Sequence, residues 1–402
     1  MFTKWYYENR ERSERWLREL HQHPEIAFAE TQTANFVATK LRSFGFEVET
    51  EVGGTGVVGT LHGQNISDPN ATRCIGFRAE LDALPMVEKS AVSYVSNIPD
   101  RFHGCGHDGH MVTALTAAAY LSEHSDFSGT VRFIFQPAEE TLSGARMMLR
   151  DGLFTKFPCD ELYALHNIPG IQKGCVAIPS GAALSSADDI DIKIHAKGTH
   201  GSMPHTGQDA IAAASHLIST IQQIATRVID ARNTGVISFG TIQGGTARNI
   251  LPDTLEMSGT MRTTDQSTRD RLAQLINDTA QSTAALFGVD IEAKIESVAP
   301  ETMNHPTCVD AVVQSASAVV GPDQVIQNAR NIMASEDFSE FAALIPAAYF
   351  FVGQDGQMPH HPEYAFDPDI IPIGAAIFAD LARTRTSLSN TLSSMGGKDD
   401  EL

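Results

Sequence analysis

Thr130-Val-Arg-Phe-Ile-Phe-Gln-Pro-Ala-Glu-Glu140 is the stretch on which the fold turns. Its first six residues form a nearly continuous apolar run, the pattern of a parallel strand covered on both faces. The run stops abruptly at Gln136-Pro-Ala-Glu-Glu, where proline withholds a backbone donor. Cys74-Ile-Gly-Phe77, Glu161-Leu-Tyr-Ala-Leu165 and Ala347-Ala-Tyr-Phe-Phe-Val352 are runs of the same kind. Helical spacing appears between and around them, at about 109–122, 143–151, 308–320 and 370–385. Strands that alternate with helices predict an α/β domain with a mostly parallel mixed sheet flanked by helices.

From about residue 187 the pattern changes. Asp189-Ile-Asp-Ile-Lys-Ile-His195 alternates strictly, as a half-buried strand does. A helix follows with Ile211, Ala214, Ile218, Ile221, Ala225 and Val228 on one stripe. Alternating strands near 234–243 and 255–264, a second helix at about 267–286 and a strand from Asp290 complete a β-α-β-β-α-β order. That order predicts a ferredoxin-like unit. The expected organisation is therefore a discontinuous catalytic domain, 1–183 and 298–402, interrupted by an inserted domain at 184–297. A chain of 402 residues suits two cores better than one.

Acidic residues outnumber basic ones by 49 to 29, a formal net charge of −20. This disfavours nucleic-acid and anionic-membrane partners. No apolar run approaches the roughly 18 residues of a membrane span. The five cysteines are scattered and do not resemble a disulfide framework. The charged start lacks the apolar core of a signal peptide, so the expected setting is a reducing cytoplasm. The ending Asp399-Asp400-Glu401-Leu402 is similar to an ER-retention address but is read as chance without a signal for entry. The Ser/Thr/Gly-rich tail from Thr384 is expected to fray.

Groups suited to metal chemistry gather at the strand exits. Glu80 and Asp82 follow the run at 74, Glu139 and Glu140 that at 130, His166 that at 161, and His360 and His361 that at 347. In open α/β sheets, ligands bind beyond the carboxyl ends of the strands. Phe102-His-Gly-Cys-Gly-His-Asp-Gly-His110 supplies a further Cys105 and His107 from a glycine-rich loop, in a spacing that fits neither a zinc ribbon nor a redox dithiol. Cys, His and carboxylate side chains bind divalent transition metals. Of two adjacent glutamates, one can bind metal while the other faces a water as general base.

Leu20-His-Gln-His-Pro-Glu25, Asp82-Ala-Leu-Pro85, Cys105–His110, Gln136–Glu140 and Gly198-Thr-His-Gly-Ser-Met-Pro-His205 occur in that order. Together they resemble the metallo-amidohydrolases that include hippurate hydrolase, bacterial N-acyl-amino-acid amidohydrolases and plant indole-acetyl-amino-acid hydrolases. The resemblance implies two divalent metal ions, zinc or manganese before cobalt or nickel. It implies Cys105, His107, Glu140, His166 and His360 as ligands and Glu139 as general base. The family usually places Asn or Ser after the last histidine, where this chain has His361. Where its members usually have Arg-Ala-Asp, this chain has Arg78-Ala79-Glu80, and Glu80 is given no role.

The resemblance further implies that His200 stabilises a developing oxyanion, reaching in from this or a partner subunit, and that the inserted domain is a lid and a homodimer contact. Asn249 is expected to donate to substrate oxygens. Arg262, expected on the exposed polar face of its strand, suits a substrate carboxylate. The expected reaction is hydrolysis of the amide of an N-acyl amino acid. The alternatives are a carboxypeptidase or dipeptidase on the same scaffold, or a metal- or amino-acid-derivative-binding protein without catalysis.

Overall fold

The computed structural model describes residues 1–65 and 73–387. The tail beyond 387, with its acidic ending, lies outside the described residues. The chain forms two compact units. The larger comprises Met1–Ala183, Met303–Arg330 and the chain from Asp337, and the smaller Leu184–Thr302 with Asn331–Glu336.

The larger unit is built on an eight-stranded mixed sheet. Its order is Glu47–Val52, Gly56–His62, Thr130–Gln136, Cys74–Glu80, Glu161–Pro169, Ala347–Gln354, Val176–Ile178 and Val325–Gln327. The four central strands run parallel, and Thr130–Gln136 and Ala347–Gln354 each gain an antiparallel outer neighbour. Every residue of Cys74–Glu80 and of Ala347–Gln354 is buried, as a strand covered on both faces requires. Helix His107–Glu123 packs on this sheet with Ile371–Thr386 beside it. The buried alanines 114, 117, 118 and 119 let the first of these pack closely on several sides.

The smaller unit is a four-stranded antiparallel sheet, ordered Gly235–Gly244, Thr254–Thr263, Ala187–His195 and Asp290–Ala299, with helices Ala210–Arg227 and Gln266–Phe287. The Asp209 side chain caps the first helix by accepting from the backbone N–H of Ile211 and Ala212 at 3.1 and 2.9 Å, and Asp265 caps the second. The buried stripe of Ala210–Arg227 matches the expected one at Ala214 and Ile221, with Ile218 and Ala225 partly buried against the same core, and departs from it at the ends. It is Ala210, Ala213, Ala214, Leu217 and Ile221, while Ile211 and Val228 are about half exposed. Small alanines let the helix lie close to the sheet, and the bulkier Ile211 is turned outward. Among the described residues, no helix is long and apolar enough to cross a membrane.

Candidate metal centre

The carboxyl ends of the central strands deliver the candidate side chains. Strand Thr130–Gln136 is followed by a single 3-10 turn, Glu139–Thr141, rather than by an extended loop. Ala138 (φ 53°) and Leu142 (φ 51°) bracket this turn in the left-handed region. Side chains larger than glycine visit that region at a cost, and such outliers gather where surrounding structure fixes them. His360 is a third such residue, at φ 67°, with its N–H donating to the Gly104 carbonyl at 2.8 Å.

Cys105, Glu140 and His360 come together, as do Cys105, His107 and His166, and His107, Glu139 and Glu140. In each trio the potential ligand atoms lie within 4.8 Å of one another. His360 Nε2 is 3.3 Å from Glu140 Oε2. His361 is not part of the cluster; its Nδ1 accepts from the Glu363 N–H at 3.1 Å.

Two histidines have their tautomers set by backbone carbonyls. His107 Nδ1–H donates to the Asp82 carbonyl at 2.8 Å, and His166 Nδ1–H donates to the Asn167 carbonyl at 2.6 Å. Each leaves Nε2 as the free lone pair, the form in which imidazole binds a metal. His166 Nε2 lies 3.4 Å from Cys105 Sγ. His107 Nε2 lies 3.7 Å from Glu139 Oε2 and 3.9 Å from Glu140 Oε1.

His107 Nε2 and Glu140 Oε1 are both buried and have no hydrogen-bond partner. Buried polar atoms are ordinarily satisfied, so two orphans facing one point argue for a cation between them. The electrostatics agree. Burial opposes a charged His107, but its Asp82 hydrogen bond and the carboxylates of Glu80, Asp82 and Glu140 outweigh burial and raise its pKa to about 10. This acidic field favours positive charge at Nε2. Burial, with His110 nearby, pushes His166 down to about 3 and keeps it neutral. One thiol, three imidazoles and carboxylates form a donor set that fits divalent transition metals.

A supporting layer holds this cluster. Asp82 Oδ2 accepts the Glu140 backbone N–H at 2.9 Å while its carbonyl takes His107. Glu80, which the sequence assigned no role, is fully buried. It accepts from the Arg78 guanidinium and from His110 Nδ1, the latter at 2.8 Å. His110 Nε2 lies 2.8 Å from Asn167 Oδ1, and Asn167 Nδ2 donates to the Tyr364 hydroxyl at 2.7 Å. Arg78 and Glu80 share a strand face at a spacing of two, a readable signal for an internal pair. The partners of Asn167 left no such signal.

Gly106 (φ 94°) opens helix His107–Glu123. A Cβ there would come within 2.3 Å of the Tyr364 hydroxyl and 2.6 Å of Asn167 Oδ1, so only glycine fits. His103 is buried with both ring nitrogens unpartnered, and burial pushes it down to about 4.

His200, Asn249 and Arg262 belong to the smaller unit. His200 lies on strand Thr199–His200, paired with Ile250–Leu251, and the Gly201 N–H donates to the Asn249 carbonyl at 2.8 Å. His200 and Asn249 are therefore close neighbours on one exposed ribbon. His200 Nδ1 accepts from the Ser202 N–H at 3.2 Å, which leaves Nε2–H as a free donor. Arg262 corrects the expectation of an exposed side chain. It is half-buried, and its guanidinium donates to the Ser186 carbonyl and the Ser335 hydroxyl. Three of its five donors remain at most partly used.

A family model described as peptidase family M20/M25/M40 matches residues 76–384. Hippurate hydrolase of Campylobacter jejuni is 37% identical over 365 residues, 90% of this chain and 94% of that protein. Thermostable carboxypeptidase 2 of Saccharolobus solfataricus is 34% identical over 376 residues, 91% of this chain and 93% of its own. Among solved structures, the Bacillus subtilis YXEP protein, described as a dinuclear metal-binding peptidase, superposes with a TM-score of 0.82 at 30% identity, covering 93% of this chain and 97% of that one.

Proposed function

The chain belongs to peptidase family M20/M25/M40 and is a metal-dependent amidohydrolase; on that premise we propose that it cleaves N-acyl amino acids to a carboxylic acid and a free amino acid. The observation that carries this reading is the Glu139 carboxylate, 3.7 Å from His107 Nε2 beside the cluster of Cys105, Glu140, His166 and His360.

We assign Cys105, His107, Glu140, His166 and His360 to hold two divalent ions. Thiolate and imidazole favour zinc, and the carboxylates leave manganese as the next choice, before cobalt or nickel. Held by these side chains, the ions would supply Lewis-acid polarisation of an acyl carbonyl and a pKa of about 7 for an attacking water. Glu139 takes that water's proton and returns it to the leaving amine. His200 donates Nε2–H to the developing oxyanion, Asn249 donates to substrate oxygens, and the remaining Arg262 donors hold the substrate carboxylate.

The test is metal analysis followed by hydrolysis of N-acetyl amino acids, N-benzoyl amino acids and dipeptides by native, chelator-stripped and reconstituted protein. N-acyl amino acids should be cleaved fastest, and only with metal. A preference for dipeptides would favour the carboxypeptidase reading, which the Saccharolobus relative keeps open, and binding without turnover would leave a non-catalytic protein.

We also propose a homodimer through the smaller unit. Its strand Gly235–Gly244 is a sheet edge that exposes Val236 (46%) and Ile242 (54%), and such edges invite pairing. Sedimentation equilibrium should give a dimer for the wild type and a monomer for Ile242→Lys. A monomeric wild type would remove this reading.

A further inference from the structure

At the amino ends of the parallel strands, away from the candidate metal centre, two thiols and a guanidinium share one face of the sheet. Cys74 is the first residue of strand Cys74–Glu80, and Cys159 lies two residues before strand Glu161–Pro169. The backbones are clasped there. The Asp160 N–H donates to the Cys74 carbonyl at 2.8 Å, and the Cys74 N–H donates to Asp160 Oδ2 at 2.7 Å. Cys74 and Gly76 lie on the same strand face by the two-residue repeat. A Cβ at Gly76 would come within 3.1 Å of Cys159 Sγ, so that sulfur lies over the same face.

Arg132 stands opposite Gly76 in register on the neighbouring strand. Its Nη1 donates to Cys74 Sγ at 3.3 Å and to the Pro158 carbonyl. The guanidinium thus ties the loop that carries Cys159 to the strand that carries Cys74. Each cysteine is 8% exposed, at the margin of solvent, and all five cysteines are free. Cys159 Sγ donates to the Phe157 carbonyl at 3.8 Å, and the two thiols lie close enough to interact. The Arg132 guanidinium favours ionisation of one thiol, and that thiolate in turn holds its neighbour protonated. Such a pair supplies one attacking thiolate and one resolving thiol. The strand's length from Cys74 to Glu80 sets the pair roughly 20 Å from the strand exits that carry the proposed ligands.

We propose that Cys74 and Cys159 are a redox-active dithiol, separate from the hydrolytic centre, which closes to a disulfide by exchange with a low-molecular-weight disulfide such as oxidised glutathione. The first of the two to ionise attacks one glutathione sulfur, forming a mixed disulfide and releasing one glutathione thiolate. The second protein thiol then loses its proton to solvent and displaces the remaining glutathione from the first. Two protein thiols are oxidised and one glutathione disulfide is reduced to two glutathione thiols.

The test incubates the whole protein with oxidised glutathione, alkylates remaining thiols and maps peptides without reduction. A Cys74–Cys159 cross-linked peptide pair, lighter by two hydrogens than its parts, is expected, with Cys175 and Cys308 recovered alkylated. The closed ring spans 159 − 74 = 85 residues, so the thermal midpoint of the oxidised protein should rise by several degrees over the reduced protein. Oxidised Cys159→Ser should show no such rise. Arg132→Met should slow cross-linking at pH 7 about tenfold, as expected if removing the charge raises the attacking thiol by about one pKa unit. Recovery of both cysteines as alkylated thiols, or only as separate glutathione adducts, would overturn the proposal whether or not the variants fold. An unchanged rate in a folded Arg132→Met variant would overturn the role given to the guanidinium.

Discussion

Glu139 and Glu140 differ by one peptide bond, yet their surroundings differ in ways that fit the separate tasks proposed for them. Glu140 has its N–H held by Asp82 and one carboxylate oxygen 3.3 Å from His360, which suits a fixed ligand. Glu139 stands at 3.7 Å from His107 Nε2, close enough to share a bound water. Glu139→Gln keeps the shape and removes the proposed base, so kcat should fall by about 10²–10⁴ with metal content unchanged. Metal loss in parallel with activity would make Glu139 a ligand instead. The tandem histidines divide in the same way. His360→Ala should lower the metal stoichiometry, whereas His361→Ala should leave it intact and shift stability by less than about 0.5 kcal/mol. The reverse outcome would exchange their roles. Sequence alone placed the carboxylates and histidines at strand exits, because that depends on order along the chain. It did not show the left-handed Ala138 and Leu142 that turn Glu139 and Glu140 inward, since neither residue type signals positive φ.

Elements far apart in the chain are joined through buried ion pairs. Helix Phe2–Gln22 sends His21 into the interior, where its Nδ1 donates to Asp108 Oδ2 at 2.7 Å and its Nε2 donates to Glu88 Oε1 at 3.0 Å. Asp108 sits in the first turn of the helix that starts at His107. Burial opposes the charged ring, but the two carboxylates prevail and raise His21 from 6.5 to about 9. With the folded pKa above the unfolded one, this stabilisation is complete below about pH 6.5 and is lost as pH rises through 9. The wild type should therefore lose a few kcal/mol between those limits from this group. His21→Ala should cost about 3–5 kcal/mol near neutral pH by leaving Asp108 and Glu88 without their counter-charge, though still hydrogen-bonded to Gly109, Ser90 and Ser96, and should flatten that slope. Denaturant titrations across the range check both, and an unchanged slope in the variant would remove His21 as the titrating group. Elements of this length were readable from periodicity. The three-residue strands Val176–Ile178 and Val325–Gln327 were not, because three residues carry no measurable period. The stripe expected for Ala210–Arg227 held at Ala214 and Ile221, with Ile218 and Ala225 partly buried, and failed at Ile211 and Val228, because hydrophobicity alone does not say where a helix face meets the sheet.

At the scale of the molecule, the order of elements was legible because each unit repeats its own period, near-continuous apolar strands in one and strict alternation in the other. The supporting network was less so, since Glu80, His110, Asn167 and Tyr364 become neighbours only once four segments have folded together. All five proposed ligands lie in the larger unit, so a bound cation links the loop before His107, the turn at Glu139, the strand end at His166 and the segment at His360. A ligand that binds only the folded state stabilises it by about 2.7 kcal/mol at a hundred times its dissociation constant. Chelation should lower the thermal midpoint accordingly. It should also raise amide hydrogen exchange at residues 104–110 and 139–142 while strand Ala187–His195 of the smaller unit keeps its protection. Equal loss of protection in both units would mean that the ions stabilise the chain through contacts other than these five side chains. An unchanged midpoint, with the metal demonstrably removed, would mean that the buried carboxylates and histidines satisfy one another without it.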